Sequence, residues 1–237
     1  MSFYSRFADH YEAVFPFQEE TYAFLRGSFP PGTGRILDAG CGTGHYCGRL
    51  AADGFLATGI DLDPEMIRVA AERYPAAEFR CMDILDAGSL PPGLDAAFCI
   101  GNTAAHLAPA ESVRLAAGIR SVLAPGGAWI VQVVNWDFIL GRAAFQFPPK
   151  VMAGAGVTFH REYRDISEAG LSFLTRLAAG ERTLFEGKIR LYPCRSADSI
   201  RLHEGQGFRL CGHFGDFTRA PFRPEVYSGS VFVFEKI

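Results

Sequence analysis

The sequence contains no Cys-x-x-Cys pair, and its six cysteines (Cys41, Cys47, Cys81, Cys99, Cys194 and Cys211) have no spacing that suggests a disulfide framework. Four of them fall in or beside expected strands, where cysteine behaves as a small apolar side chain. That usage fits a reducing compartment, so a cytoplasmic location is expected. The start, Met1-Ser2-Phe3-Tyr4-Ser5-Arg6, lacks the basic-then-apolar order of a signal segment. No stretch approaches the roughly 18 uncharged apolar residues of a membrane span, and no membrane partner is expected. Excess positive charge is missing too. A formal net charge of -3 gives no general attraction to a phosphate backbone, which argues against nucleic acid as partner. Internal repeats, low-complexity tracts and a metal-ligand pattern are likewise absent.

What remains is a chain of 237 residues, 49% hydrophobic and 21% charged, which suits one large domain or one domain with an appendage. Its 21 phenylalanines must be buried or must line a pocket. Residues 1–33 read as a helical cap, with Phe3, Phe7 and Tyr11 at helical spacing and Tyr4 beside them. Phe15-Pro16-Phe17 breaks that run, and a second helix is expected from Glu19 to Ser28. From residue 34 strands and helices alternate. Strands are expected at Arg35–Ala39, Phe55–Asp61, Glu78–Met82, Leu94–Ile100 and Trp129–Val134. Asp63-Pro64 opens one helix as an N-cap acid followed by proline. Another follows Pro109, with Val113, Ala116, Ile119 and Leu123 assigned to one face, and Pro125-Gly126-Gly127 ends it. Near-continuous apolar strands alternating with helices predict a parallel sheet covered on both sides. After Asn135 the rhythm changes. Val157–Asp165, Leu171–Ala179 and Thr183–Leu191 read as extended segments with one wet face, an antiparallel insertion over 136–195 within a main domain of 34–237. A helix at Ala197–Gln206 and strands at Phe208–Phe214 and Ser230–Glu235 close the chain.

The densest signal is Ile36-Leu37-Asp38-Ala39-Gly40-Cys41-Gly42-Thr43-Gly44, a strand running into a glycine-rich turn, with Asp61 closing the next strand. This order builds a nucleoside crevice. A dinucleotide site wants Gly-x-Gly-x-x-Gly, but here the third position of that pattern is His45. Asp38 would repel a pyrophosphate and suits a cationic group.

The run Asp-x-Gly-x-Gly-x-Gly, the strand-end acids Asp61 and Asp83, and the Leu-x-Pro-Gly-Gly turn resemble the class I S-adenosylmethionine-dependent methyltransferases. The resemblance covers residues 34 to about 135. It implies an α/β fold with a doubly wound, Rossmann-like, seven-stranded, mostly parallel sheet whose last two strands form a reversed hairpin. It also implies S-adenosylmethionine as cofactor and S-adenosylhomocysteine as product. Carried over residue by residue, Gly40, Cys41 and Gly42 would approach the methionine part and Asp38 its ammonium end. Asp61 would take both ribose hydroxyls, a task suited to a carboxylate. Leu62 and Met66 would pack on adenine, Asp83 would receive its amino group, and Met82 and Ile84 would flank it. Ile100, Gly101 and Asn102 would lie under the sulfonium, and Tyr11 would touch the cofactor carboxylate.

Absences narrow the methyl acceptor. Gly101-Asn102-Thr103-Ala104-Ala105-His106 is not the Asn/Asp-Pro-Pro-aromatic motif of enzymes that methylate exocyclic amino groups. No ribose-methylation pattern and no cysteine placed as a base-carbon nucleophile occur. Gly101-Asn102 followed by His106, Val134-Asn135-Trp136 and Gly215-Asp216-Phe217 resemble the small-molecule branch typified by glycine and sarcosine methyltransferases. His106 is then a candidate general base, or a residue packed at a helix start. Asn135 and Trp136 are candidate pocket walls, and His160 could face the pocket. Arg161 and Arg164 suit a carboxylate or a solvated strand face. His45 is read as structural or as a cofactor neighbour. The insertion is a lid or a homodimer surface. Two rival functions share the sheet: a non-catalytic S-adenosylmethionine-binding module and an NAD-dependent oxidoreductase.

Overall fold

Tyr22, Phe24 and Leu25 share one face of Glu19–Arg26 (α1), which buries that face beside the main sheet. The computed structural model describes residues 11, 12, 14–152 and 156–237; the Phe3, Tyr4 and Phe7 stripe of the expected cap lies outside the described residues. Arg35–Ala39 (β1) is apolar and buried at Ile36, Leu37 and Ala39, as a strand covered on both faces must be. His45–Ala52 (α2), Leu56–Asp61 (β2), Pro64–Arg73 (α3), Glu78–Cys81 (β3) and Leu94–Cys99 (β4) follow. Asp63 caps α3 by accepting from the Glu65 and Met66 amides at 2.9 and 3.4 Å.

Pro109–Val122 (α4) turns Leu115, Ala116, Ile119 and Val122 inward and leaves Val113 40% exposed. The buried stripe is therefore rotated from the face assigned through Val113. Leu123 leaves the helix altogether and opens Leu123–Val134 (β5). The Pro125-Gly126-Gly127 turn does end the helix, but it sits inside β5. Leu123 pairs with Leu94, the four residues 124–127 leave the register, and pairing resumes at Ala128 opposite Ala96.

Trp136–Ile139 (α5), Phe145–Gln146 (β6) and Lys150–Met152 (β7) precede three long strands, Val157–Ser167 (β8), Gly170–Ala179 (β9) and Arg182–Leu191 (β10). The chain then returns through Ser196–Gly205 (α6), Phe208–Phe214 (β11) and Gly229–Lys236 (β12). The main sheet has the order β11-β12-β5-β4-β1-β2-β3, with β1 to β5 parallel and β12 and β11 reversed. The second sheet, β10-β9-β8-β6 with β7 also on β8, is antiparallel throughout. No helix among the described residues is long and apolar enough to cross a membrane.

The antiparallel sheet packs within its own chain. Side chains alternate along β8, so Phe159, Arg161 and Tyr163 share the inner face. Register places Leu177, Thr175 and Phe173 of β9, then Phe185, Gly187 and Ile189 of β10, in the same three rows. The Phe159 row joins Val14, with Tyr11 and Phe15 against it. At the other end, Tyr163 packs on Trp136 and Phe147, with ring centroids 5.5 and 4.8 Å away, and merges with the main core. The sheet thus spans from the N-terminal segment to the carboxyl ends of the parallel strands.

Asn135 fastens a second boundary of the same space. Its Nδ2 donates to the carbonyls of Arg223, Pro224 and Val226 at 2.9, 3.3 and 2.8 Å, and its Oδ1 accepts from the Phe138 amide. The residue is 0% exposed and its whole amide is used, so it anchors the β11–β12 loop and is not a pocket wall. Asn135→Ala strands these buried carbonyls and is expected to cost about 2 kcal/mol. Thermal denaturation should show Tm falling by about 4–8 °C; an unchanged Tm would remove the anchoring role.

Candidate active site

The turn after β1 is built from backbone that only glycine adopts without strain. Gly40, Gly42 and Gly44 have φ of 89°, 54° and 81°. A Cβ would also stand 2.6 Å from Thr103 Cγ2 at Gly40 and 2.5 Å from the Phe79 ring at Gly44. The amides of Gly40 and Cys41 both donate to the Ile60 carbonyl, at 2.8 and 3.0 Å. The Gly42 amide donates to Asp61 Oδ2 at 2.9 Å, and the Asp63 amide donates to Asp61 Oδ1 at 2.9 Å. These donors are spent on β2, so they form no phosphate cradle. Asp61 thus holds its two carboxylate oxygens as acceptors in fixed positions.

Acidic groups gather around this turn. Asp38 is 2% exposed, and burial, followed by the charge of Asp61, holds its carboxyl well above the ordinary range. Burial raises Asp61 as well. Among the described residues neither carboxylate has an ion-pair partner. Glu12 accepts from the Thr43 hydroxyl at 3.0 Å and pairs with Arg73 at 2.7 Å, which ties the N-terminal segment to the loop. A Cβ on Gly42 would lie 3.3 Å from the Tyr11 ring, so Tyr11 covers the loop. Such a site fits a ligand bearing positive charge, as sulfonium and ammonium groups do, and opposes a pyrophosphate.

Beyond Asp61 an open depression is lined by Leu62, Cys81, Met82, Asp83 and Leu85. Leu62 is 68% exposed there, a surface that a planar apolar ring would cover. Asp83 caps the following turn by accepting from the Leu85 amide at 2.9 Å, which leaves its other oxygen for a ligand. Burial turns the side chains of three assigned residues inward, which leaves Cys41 and Ile84 only their backbone to offer a ligand. Met66 is 1% exposed and faces the interior from α3, and Ile84 belongs to the main core. The Cys41 thiol is also buried, close against Gly59. His45 packs against Tyr46, with ring centroids 4.4 Å apart.

The other end of the cleft begins where β4 stops. Ile100 is half-buried, and Gly101 and Asn102 turn the chain with φ of 74° and 67°. Gly101 donates to Gln132 Oε1 at 2.8 Å. Asn102 accepts from the Val134 amide at 3.1 Å, and its Nδ2 donates to the Tyr163 hydroxyl at 3.4 Å. That contact joins the end of β4 to the inner face of the antiparallel sheet. Thr103–His106 forms one 3-10 turn, and burial lowers the pKa of His106, so its imidazole is neutral at pH 7.

Strand alternation separates the other candidates. Arg161 lies on the inner face, its guanidinium 4.7 Å from the Phe147 ring centroid and its Nε buried without a partner. His160 and Arg164 alternate onto the outer face, where Arg164 pairs with Glu162 at 2.8 Å and His160 lines a depression that also touches Arg161 and Thr175. Trp136, 2% exposed, backs Tyr163 and presents no wall. Glu12, Thr103, Tyr163 and Thr175 escaped the sequence reading because no local motif marks them; only register and a long-range turn bring them in.

Comparison with known proteins agrees with this geometry. Residues 36–127 match the family model described as a methyltransferase domain. Glycine N-methyltransferase of Rattus norvegicus is 33% identical over 126 residues, 46% of this chain and 43% of that protein. Glycine/sarcosine N-methyltransferase of Halorhodospira halochloris is 29% identical over 202 residues, 81% of this chain and 71% of its own length. The first match therefore takes in less than half of the relative. Among solved structures, an S-adenosylmethionine-dependent methyltransferase from Clostridium acetobutylicum superposes with a TM-score of 0.79 at 14% identity, covering 98% of both chains. The reversed β11–β12 hairpin and the glycine turn give the chain the methyltransferase fold, and with the methyltransferase domain matched over residues 36–127 they support a class I S-adenosylmethionine-dependent methyltransferase.

Proposed function

We propose that this chain transfers the methyl group of S-adenosylmethionine to a nitrogen, or less favourably an oxygen, of a small molecule held between the end of β4 and the inner face of β8–β10. The observation that carries the reading is the Asn102–Tyr163 contact, which sets the antiparallel sheet over the place where the methyl would be delivered. The names of the glycine and glycine/sarcosine N-methyltransferases favour nitrogen.

The cofactor supplies an electrophilic methyl group, and the chain's work is alignment and exclusion of water. Asp61 would hold the ribose hydroxyls, Leu62, Met82 and Asp83 the adenine, and Asp38 the ammonium end. Gly40, Gly42 and Tyr11 would line the methionine part, with Ile100, Gly101 and Asn102 beneath the sulfur. On the acceptor side, Arg161 would bind a carboxylate, and neutral His106 would take the proton that the nucleophile sheds. Residues 136–195, together with the N-terminal segment they pack on, would act as the lid.

An assay of S-adenosylhomocysteine release against small amines, amino acids and phenols should show turnover with an amine that carries an acidic group. Silence across the panel in a protein that binds the cofactor would favour a binding module. Asp61→Ala removes two hydrogen bonds to a charged acceptor and should weaken S-adenosylhomocysteine binding by about 100-fold or more in calorimetry; unchanged affinity would refute the ribose assignment.

Asp38 makes a prediction on stability. The folded chain holds its proton more tightly than the unfolded chain, where the carboxyl titrates near 3.8. Its contribution therefore falls as pH rises above about 4 towards the raised value. Asp38→Asn should resist urea better than the parent without ligand, by a margin that widens with pH, and should bind the cofactor more weakly. A margin independent of pH would contradict the raised carboxyl.

A further inference from the structure

The inner face of the antiparallel sheet carries more positive charge than a single carboxylate would need. Lys150 of β7 pairs in register with Phe159, which puts it on the inner face of β8, diagonal to Arg161. Diagonal neighbours of this kind are about 7–8 Å apart, within reach of two long side chains. Both cations are half-buried, and neither has an ion-pair partner among the described residues. Glu162 and Glu186 alternate onto the outer face and pair with neither cation, although they border one depression with Arg161 and Thr175. Lys150 Nζ donates to the Val14 carbonyl at 2.9 Å and sits 4.5 Å from the Phe15 ring centroid. These contacts ease its desolvation but do not cancel its charge. Burial and the charge of Arg161 together bring the Lys150 pKa down to about 8.

A third group completes the row. Thr175 stands directly opposite Arg161 on β9, is 4% exposed, and its hydroxyl has no hydrogen-bond partner. Arg161 Nε is buried and unpartnered in the same row. An unmatched buried donor and hydroxyl beside two like charges are costly in an empty site, and each is satisfied by anionic oxygens. One carboxylate would leave a cation uncompensated.

Resting on the acceptor site proposed above, we infer that the methyl acceptor carries two negative charges at the end remote from its nucleophile, as a phosphate monoester or a pair of neighbouring carboxylates, and that Arg161, Thr175 and Lys150 bind that end. Arg161 is the next inward-facing residue after Tyr163 on β8, about 7 Å along the strand. With Tyr163 at Asn102, that step sets the distance from the acceptor's charged end to the methyl.

The test uses the whole protein loaded with S-adenosylhomocysteine and measures binding of acetate, malonate and inorganic phosphate by calorimetry at pH 7.5. Malonate or phosphate should bind at least tenfold more tightly than acetate, the tighter of the two naming the source of the double charge. Lys150→Met should reduce the preference to within twofold, and Lys150→Arg should keep it. Thr175→Val should weaken the dianion several-fold. Retained S-adenosylhomocysteine affinity shows that each variant is folded. Equal binding of acetate and the dianions, or a preference that survives Lys150→Met, would overturn the inference. Arg161→Met separates the two levels. If it abolishes anion binding while Lys150→Met changes nothing, the double charge is wrong and the acceptor site stands. If Arg161→Met leaves anion binding intact, the acceptor site itself is misplaced.

Discussion

The Asp61 carboxylate is gripped by the Gly42 and Asp63 amides before any ligand arrives, and the rest of the site follows from that grip. To offer its amide to β2, Gly42 must take a left-handed backbone, and its glycine neighbours must let Thr103 and Phe79 close on the turn. Donors used this way are no longer available to a phosphate. Together with the buried Asp38, the outcome is an acid-lined crevice at the switch of an α/β sheet, where nucleosides bind. The same architecture with free loop amides and no strand-end acid would suit a dinucleotide.

The second sheet adds the other half. It is anchored at one end by Val14 and the aromatic side chains beside it, and at the other by Tyr163 in the main core. Its central row, with Arg161 and Thr175, lies between those two anchored ends. In the proposed reading, cofactor and acceptor ends differ in electrostatic character: acidic groups gather at the glycine turn, and Arg161 and Lys150 at the sheet. Such separation orients a molecule with a nucleophile at one end and negative charge at the other.

Much of the fold was legible in the sequence, because β1, β2, β4 and β5 are buried on both faces and read as apolar runs bounded by glycine and proline. The glycine turn and Asp61 were legible for a stronger reason, since their chemistry is local. Facing was harder. Val113 and Leu115 both lie within reach of the stripe through Ala116 and Ile119, and packing chose Leu115. His160 and Arg161 are adjacent, so only the position of the sheet decides which turns inward. Asn135 looked like a pocket residue, yet its partners lie some 90 positions away in a loop without a motif. Lys150 and Thr175 carry no local signal at all; strand register alone brings them to Arg161.

The central claim is that a glycine turn with spent amides and uncompensated acids selects a sulfonium nucleoside over a dinucleotide. Calorimetric titration of the unmodified chain with S-adenosylhomocysteine and with NAD tests it most directly. The account predicts one S-adenosylhomocysteine site of micromolar affinity and no heat from NAD. NAD binding that S-adenosylhomocysteine displaces would contradict it.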